Sequence, residues 1–200
     1  MKATIPKIPL ARLLSLSKAQ FLSHFPPSLR PKHLAVGALI FKPSPPTSTT
    51  TKPSLLLLLL LLKRAAHDPA FPNLFAVPGG HVESTDPSLL HGLQREVLEE
   101  TSLRVRRVVG QIDPLTWGDR RGRRGNSTAG ASLQLMFVCE VGGEDTTVRV
   151  DAGEHSVGRW VDEVEAGRLD MSGGMRRVVE DAFGWRDGVG ERGGLEGLRG

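Results

Sequence analysis

Glu96, Glu99 and Glu100 crowd three carboxylates into the stretch "REVLEE" (95–100), behind a single Arg95. On a helix the spacing i, i+3, i+4 points all three from one side. Each like-charged neighbour then costs about 0.2–0.5 kcal/mol. If the acids close the helix, its dipole disfavours each of them by roughly 0.3–1 kcal/mol more. Arg95 can reach Glu99 one turn on and offset one charge. Two readings stand: a solvated acidic face, or hard-oxygen ligands for a divalent cation, which would reverse the sign of the electrostatic cost.

The elements that must position these acids lie just upstream, in "VPGGHVESTDPSLLHGLQREVLEETSL" (77–103). Pro78-Gly79-Gly80 supplies a tight turn whose backbone can approach a ligand closely. A helix is expected over 86–101, with Asp86 as N-cap and Pro87 at the first helical position. Leu90, Leu93 and Val97 form its apolar stripe, which places the acids at the edge of the core.

This unit resembles the Nudix box of the Nudix hydrolase superfamily: Gly, five residues, Glu, seven residues, Arg-Glu, a bulky aliphatic, any residue, Glu-Glu, any residue, Gly and a bulky aliphatic. Gly80, Arg95-Glu96-Val97, Glu99-Glu100 and Leu103 fill their places. There are two departures. The first acid place holds Asp86, and eight residues separate it from Arg95, one more than the pattern has. Ser102 stands where the pattern has Gly; a left-handed exit there would cost Ser about 1 kcal/mol, or force another exit.

The resemblance implies an α/β fold, a Nudix-type α/β/α sandwich with a mixed sheet. It implies a metal-dependent hydrolase that cleaves the pyrophosphate bond of a nucleoside diphosphate linked to another moiety, a small-molecule substrate. Mg²⁺ or Mn²⁺ would neutralise the phosphates, polarise a P–O bond and lower the pKa of a bound water. The ligands carried over are Glu96, Glu99, Glu100 and the Gly80 carbonyl, with Arg95 orienting a box acid. The general base is a box glutamate or a later acid, for which Glu154 in "DAGEHSVGRWV" (151–161) is the candidate. His155 beside it could take a proton near neutral pH. The altered box keeps an alternative open, a catalytically weakened domain that binds nucleotide or RNA as a regulatory module.

Composition agrees with one soluble domain. The chain has 200 residues, a net charge of +4 and a single cysteine, Cys139, which cannot form an intramolecular disulfide. That suits a reducing, intracellular setting. No acid precedes Asp68. Such a basic N-terminus is compatible with a mitochondrial presequence, and otherwise with a solvated arm, or a short helix packed on the domain, in a cytoplasmic protein. Leu55 to Leu62 form an unbroken apolar run far shorter than the about 20 residues of a membrane span, and read as a buried strand.

The domain is expected over 32–185, after a basic arm at 1–31 with a short helix around 15–24. Strands are expected at 33–41, the Leu run, 74–77, 103–112, 131–141 and 157–161, and a second helix at 171–183. A Pro/Ser/Thr-rich loop (42–54) should be disordered, and a Gly-rich tail (186–200) frayed. Arg120, Arg121, Arg123 and Arg124 lie in a Gly/Arg loop (117–130). A solvated hairpin is favoured over nucleic-acid contact there, because no aromatic beyond Trp117 is interleaved. Trp160 and Trp185 read as core, His81 and His91 as surface.

Overall fold

The computed structural model describes residues 7–44, 57–118, 131–143 and 146–191, with only the backbone course for 187–191. Its strands are β1 (His33–Pro43), β2 (Leu57–Arg64), β3 (Phe75–Ala76), β4 (Val105–Gly118), β5 (Ala131–Val141) and β6 (His155–Val161). They form a sheet in the order β3-β2-β1-β5-β4, with β6 also paired to β2. Only β1 and β5 run parallel, so the sheet is mixed. Helices α1 (Leu10–Ser15), α2 (Lys18–Ser23) and α3 (Leu89–Thr101) lie on one face, and α4 (Glu163–Arg168) and α5 (Gly173–Glu191) on the other.

The sandwich follows from strand alternation, since successive side chains point to opposite faces. Val36, Ala38, Ile40, Leu60 and Leu62 meet Leu89, Leu93 and Val97 of α3 in one apolar layer. Leu39, Leu59, Leu61, Met136 and Val138 meet Met175, Val178, Val179 and Phe183 of α5 in the other. Leu59 to Leu62 of the Leu run are therefore buried on both sides of a central strand, as expected. No helix among the described residues is long and apolar enough to cross a membrane. Cys139 is buried and unpaired, and burial pushes its thiol pKa up.

Several boundaries differ from expectation. Of the two readings of the arm, the packed helix is the one observed: Leu13, Phe21 and Phe25 are buried in the same layer as α3. Ser17 starts α2 through a capping box with Gln20. β1 runs on through Lys42 and Pro43, paired with Leu58 and Leu57, so the Pro-rich loop begins later; 45–56 lie outside the described residues. β4 continues past Pro114 to Gly118, with the register shift between Ile112 and Leu115 absorbing the proline on an edge strand. α4, capped by Asp162, was not anticipated. α5 runs beyond Trp185 into the expected tail, ending at Glu191.

Candidate active site

The glycine turn is held by β1. β1 pairs with β2 only near its end, at Phe41 to Pro43. Its earlier half is bonded by residues 78–82 instead. Val36 N–H donates to the Gly80 carbonyl (2.9 Å), Ala38 N–H to Pro78 (2.8 Å), and Val82 N–H to Leu34 (2.9 Å). Gly79 has φ +142°, and a Cβ there would sit 2.2 Å from the Val36 carbonyl oxygen. Any side chain would push the turn off the sheet. Gly80 is needed for a different reason: a Cβ would meet Glu96 Oε2 at 2.5 Å. The Glu96 carboxylate thus lies directly on the turn. The Gly80 carbonyl already accepts one hydrogen bond, which leaves a single lone pair for any ligand.

Helix α3 begins at Leu89, not Asp86. Ser88 is the N-cap, its hydroxyl accepting His91 N–H. The buried stripe is accordingly Leu89, Leu93 and Val97, with Leu90 only half-buried. The extra residue of the box is taken up before this cap. Asp86 is freed from capping and turns inward, to 8% exposure. It accepts the Glu83 N–H and both Nε and Nη2 of Arg95, at 3.1 and 3.0 Å. Gly92 makes room: a Cβ there would approach Asp86 Oδ2 to 2.9 Å.

Arg95 is fully committed. Beyond Asp86, Nη1 bonds Glu96 (2.9 Å) and Glu99 (3.0 Å), and Nη2 bonds the His81 carbonyl (2.9 Å). These five bonds use all five guanidinium donors. Arg95 therefore ties the turn, Asp86 and two of the acids together and has no donor left over. Asp86, hydrogen-bonded by Arg95, has its pKa held below the ordinary carboxylate value.

The acids differ in environment. Glu100 is 3% exposed. One oxygen accepts the Gly79 N–H at 2.6 Å; the other lies 3.6 Å from His155 Nε2. Burial raises its pKa from 4.5 to about 8, with Glu96 and Glu154 pushing the same way and the Gly79 N–H opposing. Glu96 is also raised, first by burial, with Arg95 opposing. Glu99 is exposed and held by Arg95. Glu154 is exposed; one of its oxygens lies within 4.8 Å of both a Glu100 oxygen and a His155 ring nitrogen. Among the described residues, Glu100, Glu154 and His155 are the group whose ligand atoms all lie within 4.8 Å of one another, and carboxylate oxygens are hard donors of the kind Mg²⁺ and Mn²⁺ prefer.

One expectation is corrected. His155 is not placed to take a proton near neutral pH. It opens β6, is 2% exposed, and burial pushes its pKa down to about 4. Its Nδ1 has no hydrogen-bond partner among the described residues.

Glu96, Glu99, Glu100, Arg95, Gly80 and Glu154 are thus gathered around one turn. Three features escaped the sequence: the Gly79 N–H, the inward turn of Asp86, and the burial of the His155 ring. A Gly-Gly pair on a strand edge was a usable signal for the first. Ser102 takes the left-handed conformation (φ 62°) in place of glycine, its N–H bonding the Leu98 carbonyl. Trp160 is half-buried, and Trp185 packs against Gly110. The four loop arginines lie outside the described residues.

A mixed-sheet sandwich with a glycine turn, an arginine-locked helix and clustered glutamates defines a class. Residues 31–182 match the family profile of the NUDIX domain. The chain belongs to that family and stands among the Nudix hydrolases, which act on pyrophosphate bonds.

Similar solved structures include the NUDIX domain of Shewanella oneidensis NrtR complexed with ADP ribose (TM-score 0.56, 20% identity, 84% of this chain and 97% of that one). Others are the MutT protein from Methanosarcina mazei Go1 (0.56, 22%, 78% and 96%) and a C. elegans Ap4A hydrolase in a binary complex (0.57, 16%, 78% and 98%). At these identities the likeness speaks for the fold. No curated protein sequence matches the chain.

Proposed function

We propose that the protein is a metal-dependent hydrolase that cleaves the pyrophosphate bond of a nucleoside diphosphate linked to another moiety. The observation that carries this reading is the Glu100 carboxylate. It is buried beside Glu96 and Glu154 and raised to about 8, although Gly79 donates a hydrogen bond to it. A fold keeps so costly a group when a cation shares its charge.

Glu96, Glu99 and Glu100 would hold Mg²⁺ or Mn²⁺, with the Gly80 carbonyl as a backbone ligand. A bound ion would supply charge neutralisation of the diphosphate and an acidified water. Arg95 keeps Glu96 and Glu99 in register and stays off the substrate. Gly79 and Gly80 keep side chains away from the phosphates. Glu154 is exposed and close to Glu100, so it can accept the proton of an attacking water; a box glutamate is the other candidate for that base.

The test is a panel of ADP-ribose, dinucleoside polyphosphates, nucleotide sugars, oxidised nucleoside triphosphates, coenzyme A and NAD, assayed with Mg²⁺ and with Mn²⁺. Turnover of at least one compound to a nucleoside monophosphate is expected. Glu99→Gln should lower kcat by about 10²-fold or more. An unchanged rate in that variant would remove the mechanism. Glu154→Gln separates the two candidate bases, since a loss of similar size assigns the proton to the later acid.

A further inference from the structure

Residues 7–29 precede the matched NUDIX region, yet they touch the loop that organises the site. Two long-range bonds join them. The Lys18 ammonium donates to the Val82 carbonyl at 2.6 Å, in a part-buried contact. The Leu89 N–H, at the start of α3, donates to the Leu16 carbonyl at 2.8 Å. Val82 and Leu89 flank residues 83–88. That stretch begins three residues after Gly80 and contains Asp86, the bidentate partner of Arg95.

Both contacts come from the capped start of α2. Ser17, between Leu16 and Lys18, caps α2 through its reciprocal bonds with Gln20. α2 is anchored by Phe21, fully buried in the same apolar layer as Val82, Leu89, Leu93 and Val97. Phe25 packs edge-on against it, with ring centroids 5.4 Å apart. A lysine donating to a neutral carbonyl forms a charge-assisted bond. The Lys18 contact is the only hydrogen bond found for the Val82 carbonyl among the described residues.

We propose that the N-terminal segment is a built-in brace for the site loop, and that Lys18 is a positioning residue for the acids. It acts through the chain Lys18, Val82, Asp86 and Arg95 on Glu96 and Glu99. The effect on metal binding rests on the functional reading above; the brace itself does not.

The experiment compares wild type, Lys18→Met and Lys18→Arg in the full chain. Met keeps the apolar stem and removes the donor; Arg keeps a donor. Two readouts are taken: amide hydrogen exchange across residues 82–89, and Mn²⁺ affinity by calorimetric titration. In Lys18→Met the loop amides should exchange faster and the Mn²⁺ Kd should rise about tenfold, as for other groups that orient metal ligands. Lys18→Arg should recover both, which a purely volumetric role of the side chain would not give. Unchanged exchange in Lys18→Met overturns the brace. Faster exchange with unchanged Mn²⁺ affinity overturns the positioning role. If wild type binds no Mn²⁺, the functional reading fails, and exchange still decides the brace. Should Lys18→Met not fold, native-state exchange of wild type decides. The Leu89 amide must open together with the amides of α2, and independent opening contradicts the proposal.

Discussion

Replacing Glu100 by Gln keeps the side-chain volume and leaves an oxygen to accept the Gly79 N–H, but it removes the buried group that can ionise. In wild type this carboxyl titrates near 8 in the folded chain, against an ordinary value of 4.5. Between those values the folded state holds a proton that the unfolded chain has released. Stability contributed by this group therefore falls as pH rises from about 4.5 to about 8 and is level above. The full span corresponds to at most roughly 5 kcal/mol, at about 1.4 kcal/mol for each tenfold change.

Glu100→Gln carries no such decline. In EDTA the variant should match wild type near pH 5 and exceed it by several kcal/mol at pH 9 in urea unfolding. Mn²⁺ should invert the order, because it stabilises only a protein that binds it. A stability difference that does not grow between pH 5 and pH 9 would refute the reasoning. So would a variant that Mn²⁺ stabilises as much as wild type.

Three further outcomes are expected. Arg95→Met strands Asp86 at 8% exposure without its bidentate partner, and should cost about 2–3 kcal/mol in urea unfolding as well as activity. Ser102→Gly relieves a left-handed serine (φ 62°) and should add about 1 kcal/mol of stability with the rate unchanged. Gly80→Ala drives a methyl group against Glu96; Mn²⁺ affinity should fall about tenfold while the melting temperature moves little, since the displaced atom is a side-chain end.

The helical register of Glu96, Glu99 and Glu100 was legible because it depends on spacing alone, and so was the alternation that buries the Leu run in β2. Asp86 was misread as a cap because Pro87 follows it. Its actual role depends on loop closure and on the space left by Gly92, neither of which is a local property. His155 reads as a loop residue until the pairing of β6 with β2 carries it inside. The arm's basic, acid-free composition left a solvated arm and a packed helix both open; the burial of Leu13, Phe21 and Phe25 is decided by the apolar surface that α3 presents. α4 did carry a local signal, Asp162 ahead of Glu165, in the pattern of a helix N-terminus.

Calorimetric titration of Mn²⁺ into the protein at pH 7, in buffers of different ionisation enthalpy, tests the central claim most directly. Saturable binding with the release of about one proton is predicted, because Glu100 must lose the proton it holds below about 8 to become a ligand. Glu100→Gln should bind far more weakly and release none. Absence of saturable binding, or equal affinity in the two proteins, would mean that these acids do not share a cation.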